Sequence, residues 1–380
     1  MTKTVKIEVA EKDLNKALRG FFKTLLERED ISAVLAPCKL PGKTMIMPTL
    51  VSASDQIDRI DPLTPAFPIN GAKILSRLTR KPSGGPIAAL MRPCEIRAFF
   101  ELVKLNQGRI DDLILISMDC LGALGNRDYL KWSQEKSDDM TLQFVQQALA
   151  GKDAVTDEIE LTQACRACEY PVSEGADINN GLFGVDTDRE ILIQSLTEKG
   201  LNLLTALDLP AAEFPAARQK DIEGRIARKV AFRNEMFAQT NEQIDSHAKL
   251  SAFLNSCVNC YNCRVACPVC YCRECVFVTD VFDHEPSQYL QWAQQKGAVQ
   301  MPTDTMLYHI TRLAHMSTAC VGCGQCTNAC PNDIPVMALF RTVAHNTQQA
   351  FDYQAGRSLT EKPPLAEFKE EEFEEIVGIN

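Results

Sequence analysis

Two copies of one cysteine motif constrain this chain more than any other feature. The first copy reads C-x2-C-x2-C-x3-C-P and ends at Pro268, and the second repeats the same spacing and ends at Pro331. A duplicated spacing of this kind indicates an internal structural repeat. The eight cysteines are Cys257, Cys260, Cys263, Cys267, Cys320, Cys323, Cys326 and Cys330.

This spacing is typical of the cluster loops of bacterial ferredoxins. Three thiolates two residues apart reach three corners of a 4Fe-4S cluster, and the fourth, after a longer step, ligates the other cluster. We therefore expect crossed ligation. The two sets are Cys257, Cys260, Cys263 with Cys330, and Cys320, Cys323, Cys326 with Cys267. Structural zinc also binds C-x2-C pairs, but it explains neither the third evenly spaced cysteine nor the proline.

Charge and hydropathy exclude several classes of protein. The chain has 380 residues, enough for two or three domains, and a formal charge of −10. This balance argues against a nucleic-acid partner, because nothing in it would neutralise a phosphate backbone. No leader or bilayer-spanning run is evident, so we expect a cytoplasmic protein without membrane insertion. In that compartment its sixteen cysteines are better explained as metal ligands than as disulfides.

The N-terminal part of the sequence predicts an α/β domain. Residues 11–28 have the apolar spacing of an amphipathic helix, and residues 31–36 and 44–51 read as strands. Further strands are predicted at 87–91 and 112–118. Each of these is followed by a cysteine, Cys94 or Cys120. We expect both at the carboxyl edge of an open sheet, where ligands bind, with Cys94 at a helix N-terminus that stabilises anions.

A second cysteine pair follows a predicted helix at residues 128–149. Cys165 and Cys168 form a lone C-x2-C, which zinc, a redox dithiol or chance could each produce. The pair gains meaning if Cys94 and Cys120 complete a set of four. Residues 176–184 contain two glycines three apart, which is a turn signal suited to a close backbone approach.

The sequence divides into three segments. We predict an α/β domain at residues 1–235, an α-helical dicluster ferredoxin domain at 236–355, and an acidic tail at 356–380. A charged helix at 216–245 connects the first two. Between the motifs lies an inserted helix at 303–318, with Met306, Ile310, Leu313 and Ala314 on its apolar face.

Four cysteines are left over. Cys270, Cys272 and Cys275 follow the first motif, and Cys38 lies in a predicted turn. The three could form a further cluster with Cys38 as the fourth ligand, or they could be structural or free thiols. The C-x3-C-x2-C spacing of Cys263, Cys267 and Cys270 also occurs in radical S-adenosylmethionine enzymes, but here it overlaps a complete ferredoxin motif.

The chain resembles the beta subunits of deazaflavin-reducing hydrogenases and of cytosolic formate dehydrogenases. The resemblance runs through residues 91–98, Ser117 to Cys120, the Cys165 pair and the segment 177–184, and the doubled ferredoxin motif extends it. It implies FAD bound in the α/β domain beside a 4Fe-4S cluster. The implied cluster ligands are Cys94, Cys120, Cys165 and Cys168. The implied flavin contacts are Arg92, Asp177, Asn180, Gly181 and Gly184.

These observations predict an iron–sulfur flavoprotein subunit that transfers electrons between a flavin and a catalytic oxidoreductase subunit. The partner could be a formate dehydrogenase, a hydrogenase or a heterodisulfide-reductase-like module, and a soluble hydride carrier is a further candidate. Hydride chemistry would belong to the flavin. The alternative is a polyferredoxin-like electron-transfer subunit without flavin.

Overall fold

The N-terminal half of the chain folds around one mixed β-sheet. The structure, a computed structural model, describes residues 2–41, 45–135 and 140–366, and within them seven strands form this sheet in the order β1-β7-β6-β5-β4-β2-β3. The strands are β1 (Thr4–Glu8), β2 (Ala33–Lys39), β3 (Ile46–Val51), β4 (Ile87–Leu90), β5 (Leu113–Met118), β6 (Ile178–Gly181) and β7 (Glu190–Ser195).

The centre of the sheet is parallel and its edges are antiparallel. Strands β2, β4, β5 and β6 run in one direction, whereas β3, β7 and β1 pair antiparallel to their neighbours. Every residue of β4 and of β5 is buried, as expected of strands that are covered on both faces. The predicted open sheet is therefore present, and the carboxyl ends of β4 and β5 lie side by side.

Helices cover both faces of the sheet. In the α/β part they are α1 (Leu14–Leu26), α2 (Ala72–Thr79), α3 (Pro93–Lys104), α4 (Asn126–Glu135), α5 (Met140–Leu149), α6 (Gln163–Arg166) and α7 (Glu198–Ala206). The described parts of the helix predicted at 128–149 are helical, as α4 and α5, and residues 136–139 between them lie outside the described residues.

The C-terminal half is helical. Its helices are α8 (Ala217–Ile244), α9 (His247–Phe253), α10 (Asn262–Ala266), α11 (Pro286–Lys296), α12 (Thr305–Met316), α13 (Gln325–Asn328) and α14 (Val336–Ala350). Helix α8 runs through the predicted boundary at residue 235. Buried residues of α3, such as Phe99, share one hydrophobic core with Tyr308 and Phe340 of the helical half. The two halves thus pack as one body around this core.

The chain after α14 returns to the α/β part. The N–H of Gly356 donates to Glu101 Oε1 at 2.6 Å, and Arg97 Nε donates to the carbonyl oxygen of Ala355 at 3.0 Å. The first residues of the predicted acidic tail are therefore anchored on α3. The acidic run itself lies in residues 367–380, outside the described residues. No helix in the described ranges is long and apolar enough to cross a membrane.

Candidate metal centres

The structure brings the four cysteines of the α/β part together. Cys94, Cys120, Cys165 and Cys168 line one cavity of about 450 Å³, part of it open to solvent, which we call the thiol cavity. Cys323 of the second ferredoxin motif lines the same cavity. The sequence raised the question whether Cys94 and Cys120 complete a set of four with the C-x2-C pair. In the structure all four cysteines line the same cavity. Their ligation of a cluster stays a prediction.

The position of Cys94 follows from the start of α3. Pro93 occupies the first turn, where its missing N–H costs nothing. Glu95 closes the helix end by accepting the N–H of Arg92 at 2.8 Å and that of Gly71 at 2.6 Å. Burial raises the pKa of the Glu95 carboxyl. Cys94 therefore lies in a first helical turn, where backbone N–H groups favour a thiolate or a cluster bound to it.

Cys120 is held through its neighbour Asp119. This buried carboxylate accepts the N–H groups of Leu182 and Phe183, both at 2.8 Å, and two nitrogens of Arg218 at 2.5 and 3.0 Å. Arg218 comes from the first turn of α8. A buried carboxylate with this many partners fixes the loop after β5 and so the direction of the Cys120 side chain. The sequence contained Asp119 in the family motif but gave no sign of Arg218.

Cys165 lies in the short helix α6, Cys168 follows the end of that helix, and both are tied to the helical half. Lys229 Nζ donates to the carbonyl oxygen of Cys165 at 2.5 Å. Glu169, directly after Cys168, pairs with Arg233 of α8 at 3.1 Å and with Arg341 of α14. Although burial raises it, these guanidinium groups hold the pKa of Glu169 below its usual value. This ionised side chain joins α8, α14 and the loop of Cys168.

Burial controls the protonation of the free thiols in this cavity. It raises the pKa of Cys94 well above its ordinary value, that of Cys120 to about 11, and that of Cys168. Without a metal these side chains are neutral thiols at pH 7. A bound metal cluster would have to displace their protons, as thiolate coordination requires. The cavity therefore fits a cationic metal centre, whose positive charge would stabilise the thiolates that burial disfavours.

A second cleft adjoins the thiol cavity at the carboxyl edge of the sheet. This sheet-edge cleft encloses about 640 Å³, partly open to solvent, and shares Phe67, Arg92 and Cys120 with the thiol cavity. The Arg92 guanidinium lies 4.5 Å from the centre of the Phe67 ring and donates to the carbonyl oxygens of Thr64 and Ala66 at 2.9 and 2.8 Å.

The other residues that the resemblance implied for the flavin lie elsewhere. Asp177, Asn180, Gly181 and Gly184 line neither the thiol cavity nor the sheet-edge cleft. Asp177 accepts the N–H of Leu115, and Asn180 donates to the carbonyl oxygen of Ser117. Both contacts hold β6 against β5. Of the predicted flavin contacts, Arg92 is the one that lines these two cavities, and a flavin role for every one of them stays a prediction.

The two glycines of this segment serve a close approach within the protein. A Cβ at Gly181 would lie 2.6 Å from the Phe214 ring, and one at Gly184, where φ is +66°, would lie 2.5 Å from Cα of Arg218. The turn predicted for residues 176–184 is thus in part the strand β6. The sequence misled here because Ile-Asn-Asn-Gly has the composition of a turn, whereas its polar side chains are buried and hydrogen-bonded in the sheet.

The two ferredoxin motifs form matching loops, each with one short helix. We call residues 257–268 the first loop and residues 320–331 the second loop. They carry α10 and α13, respectively, and these two helices pack against each other. Burial raises the pKa of Cys320, Cys323 and Cys326, and the nearby Cys267 raises it further.

The first loop shows the reciprocal relation. Burial raises the pKa of Cys257, and Cys263, Cys260 and Cys330 each raise it further. Each loop thus has the last cysteine of the other motif among its neighbours, which agrees with crossed ligation. In the described chain no three Cys, His, Asp or Glu side chains converge closely enough for a single metal ion.

The inserted helix α12 faces the first loop with polar side chains. The apolar face predicted for it is present in part, because Met306 and Leu313 pack against the core but Ile310 is 45% exposed. The buried residues of the helix include Tyr308, His309 and Arg312. Arg312 Nη1 donates to Sγ of Cys263 at 3.1 Å. Buried polar groups need partners, and here those partners are thiols. The apolar periodicity of α12 could not predict this contact, because it depends on hydropathy along the helix and carries no information about the first loop.

The structure separates the leftover cysteines. Cys38 lies in β2, where its Sγ donates to the carbonyl oxygen of Ala36 at 3.6 Å, and it belongs to the core on the other face of the sheet. It is therefore not brought to the other three. Burial raises the pKa of Cys270 to about 11, with Cys267 as its next largest cause, and Cys272 is exposed. The roles of Cys270, Cys272 and Cys275 stay open.

The fold and the sulfur sites define an iron–sulfur protein in which a mixed α/β sheet is joined to a dicluster domain. Residues 253–334 match the family model described as a 4Fe-4S dicluster domain. This match confirms the predicted C-terminal dicluster domain, and it falls within the predicted range 236–355.

Two curated relatives are similar over nearly the whole chain. The F420-dependent formate dehydrogenase subunit beta of Methanocaldococcus jannaschii is 24% identical, with 92% of this chain and 93% of the relative covered. The F420-dependent formate dehydrogenase 1 subunit beta of Methanococcus maripaludis is 25% identical, with 92% of each covered. The predicted resemblance to formate dehydrogenase beta subunits is therefore confirmed.

Solved structures are similar as well. One of them is a chain of the F420-reducing [NiFe] hydrogenase complex from Methanosarcina barkeri, with a TM-score of 0.45 and 11% identity. The match covers 65% of this chain and 94% of that one.

Proposed function

We propose that this chain is the electron-transfer subunit of a complex of the formate dehydrogenase or hydrogenase type. It would hold FAD in the sheet-edge cleft, one 4Fe-4S cluster on Cys94, Cys120, Cys165 and Cys168, and two more on the ferredoxin loops. A separate catalytic subunit would supply or consume the electrons. The names of the relatives support the type of complex.

One observation carries this proposal. The thiol cavity is lined by the four cysteines of the α/β part together with Cys323 of the second loop, and it shares Phe67, Arg92 and Cys120 with the sheet-edge cleft. Cleft, thiol cavity and second loop therefore adjoin one another without an intervening layer of protein. A one-electron relay needs its stations close together, and this arrangement supplies that proximity.

The bound groups would supply the chemistry, hydride exchange for a flavin and single-electron transfer for the clusters. The side chains of this chain position them. Arg92, fixed over Phe67 by two carbonyl oxygens, presents a guanidinium group between the cleft and the thiol cavity. Asp119 with Arg218, and Glu169 with Arg341, hold the loops of Cys120 and Cys168.

Iron and flavin content after anaerobic purification test the proposal. We expect about twelve irons per chain for three clusters, plus one flavin. Cys168→Ser should lose about four irons and leave the ferredoxin loops loaded. Cys38→Ser is the matched control, because Cys38 is a buried cysteine on the other face of the sheet and outside the ligand sets of these three clusters, and it should keep the full iron content.

Other results would replace the proposal by a named alternative. Iron without any extractable flavin would favour the polyferredoxin-like subunit. Zinc in place of iron would exclude an electron-transfer role. A Cys38→Ser variant that loses as much iron as Cys168→Ser would contradict the assigned ligand set.

A further inference from the structure

Helix α12 supplies the first loop with a set of buried hydrogen-bond donors. The helix lies in the insert between the two ferredoxin motifs, and Tyr308, His309 and Arg312 face the loop from one side of it. Their exposed fractions are 0%, 1% and 4%. An arginine this deeply buried is costly unless it meets negative charge, and what it meets here is sulfur.

The contacts are direct. Arg312 Nη1 donates to Cys263 Sγ at 3.1 Å, and Nη2 donates to the carbonyl oxygen of Cys263 at 3.2 Å. The Tyr308 hydroxyl lies 3.3 Å from the same sulfur. His309 Nε2 lies 3.4 Å from Cys257 Sγ. Two sulfurs of the first loop thus have three side-chain partners from one helix.

Each of these partners can donate once the thiol has become a thiolate. The His309 ring can carry a proton on Nε2, which lies 3.4 Å from Cys257 Sγ, and so can donate to that sulfur. A thiolate has no proton of its own, so the hydroxyl of Tyr308 and the Nε2 of His309 become the donors. Arg312 donates in any state and adds a positive charge.

The second loop has different surroundings. Asn70 is the side-chain hydrogen-bond partner of Cys323, and Arg341 and Arg97 act on Cys320 through space. Among the described residues, the direct guanidinium-to-sulfur hydrogen bond is the one from Arg312 to Cys263 in the first loop. The charge of Arg312 reaches Cys267 and Cys326 as well, but without contact. Two loops of one spacing therefore differ in the donors that surround their sulfur.

Hydrogen bonds to cluster sulfur and nearby positive charge raise a reduction potential, because they stabilise the added electron. We propose that Arg312, with Tyr308 and His309, sets the cluster of Cys257, Cys260, Cys263 and Cys330 at a higher potential than the cluster of the second loop. The inference rests on the proposed function. Reduction would then favour the first loop, whose Cys260 is exposed to solvent. The cluster of the second loop, beside the thiol cavity, would then pass electrons between the thiol-cavity cluster and the cluster of the first loop.

Potentiometry of the anaerobic holoprotein, followed by electron paramagnetic resonance, tests this assignment. Each cluster gives a signal on reduction by one electron from dithionite. Cys260→Ser identifies the signal of the first loop, because replacing a ligand of that cluster changes the line shape of its signal or removes the signal. In the parent protein that signal should appear at a higher potential than the signal of the other ferredoxin-loop cluster.

Three variants measure the role of α12. Arg312→Gln should lower the midpoint potential of the marked cluster and leave the thiol-cavity cluster unchanged. Tyr308→Phe should lower the same midpoint by a smaller amount, because it removes one donor and no charge. His315→Gln is the control, since His315 lies on the exposed side of the same helix, and its midpoints should match those of the parent.

The outcomes separate this inference from the proposed function. A parent protein without iron or flavin would contradict the proposed function itself. A fully loaded protein in which Arg312→Gln and Tyr308→Phe leave the marked midpoint unchanged would overturn the inference alone. If Arg312→Gln fails to retain iron, Tyr308→Phe decides, because it keeps the ring volume and the charge of Arg312.

Discussion

The first and second loops carry the same cysteine spacing, but they lie against different parts of the molecule. The second loop contacts the α/β part, where Gln325 Nε2 donates to the carbonyl oxygen of Phe67 at 2.9 Å and Cys323 lines the thiol cavity. The first loop contacts α12 and solvent, and its Cys260 is exposed. The spacing decides which cysteines can share a cluster. The surroundings decide what each cluster can do.

The two loops also differ at one equivalent backbone position. Both short helices begin after a residue with left-handed backbone, which is Tyr261 in the first loop (φ 60°) and Gly324 in the second (φ 78°). The Tyr261 ring packs edge-on against Tyr308 of α12, with ring centres 4.9 Å apart. A Cβ at Gly324 would lie 2.5 Å from Cβ of Ala164 in α6. The space beside the first loop thus accommodates a tyrosine at this position, whereas Ala164 leaves room only for a glycine in the second loop.

Replacing one ligand in each loop should give the largest contrast. Cys326→Ser alters a ligand in the loop that packs on the α/β part, and burial disfavours ionisation of its side chain. We expect this variant to lose about four irons and to unfold at a lower temperature, because a metal site contributes to folding. Cys260→Ser, at an exposed position, should cost less stability. Iron analysis and thermal unfolding measure both. Equal losses from the two variants would mean that the loops are equivalent.

Two ion pairs between the α/β part and the helical half offer the next contrast. The Glu169 side chain is 11% exposed and pairs with Arg233 and Arg341, which are 15% and 6% exposed, whereas the pair of Arg127 with Asp333, at 2.7 Å, has side chains that are 67% and 75% exposed. Glu169→Gln leaves two largely buried guanidinium groups without their carboxylate, and we expect a loss of about 3 kcal/mol. Arg127→Gln should cost about 0.5 kcal/mol or less.

Denaturant unfolding of the anaerobic holoprotein measures both variants under the same conditions. Similar losses for Glu169→Gln and Arg127→Gln would show that burial does not decide the strength of this junction. A loss confined to Glu169→Gln would show that the second loop and the Cys168 loop are held together by the buried network.

Local patterns in the sequence were enough to predict the sheet edge and to bring the four cysteines of the α/β part to one place. The apolar runs of β4 and β5 and the cysteines after them placed Cys94 and Cys120 correctly at neighbouring strand ends, because parallel strands share an edge. The partners of those cysteines were not predictable. Arg218 and Arg341 act from elements far away in the chain, and nothing in their own neighbourhoods marks them.

The segments that were misread in part have a common cause. Helix α12 was given an apolar inner face, and residues 176–184 were read as a turn, because polar residues were assumed to face water. In both places the polar side chains are buried against partners from elsewhere: sulfur for Arg312, and the carbonyl oxygen of Ser117 for Asn180. Hydropathy patterns describe an element by itself, so they fail where burial is satisfied by hydrogen bonds across the fold.

The smallest predicted effect concerns the backbone of the second loop. Gly324→Ala forces a side chain into the left-handed region, at a cost of about 1–2 kcal/mol, and brings its Cβ against Ala164. Gly224→Ala is the matched control, because Gly224 lies in the helix α8 with open space around it, and this change should stabilise the protein by about 0.5–1 kcal/mol. Thermal unfolding of the loaded protein measures both. If Gly324→Ala did not change the unfolding temperature, α6 would be able to move away from the second loop. The close contact between Gly324 and Ala164 would then contribute nothing to the stability of the fold.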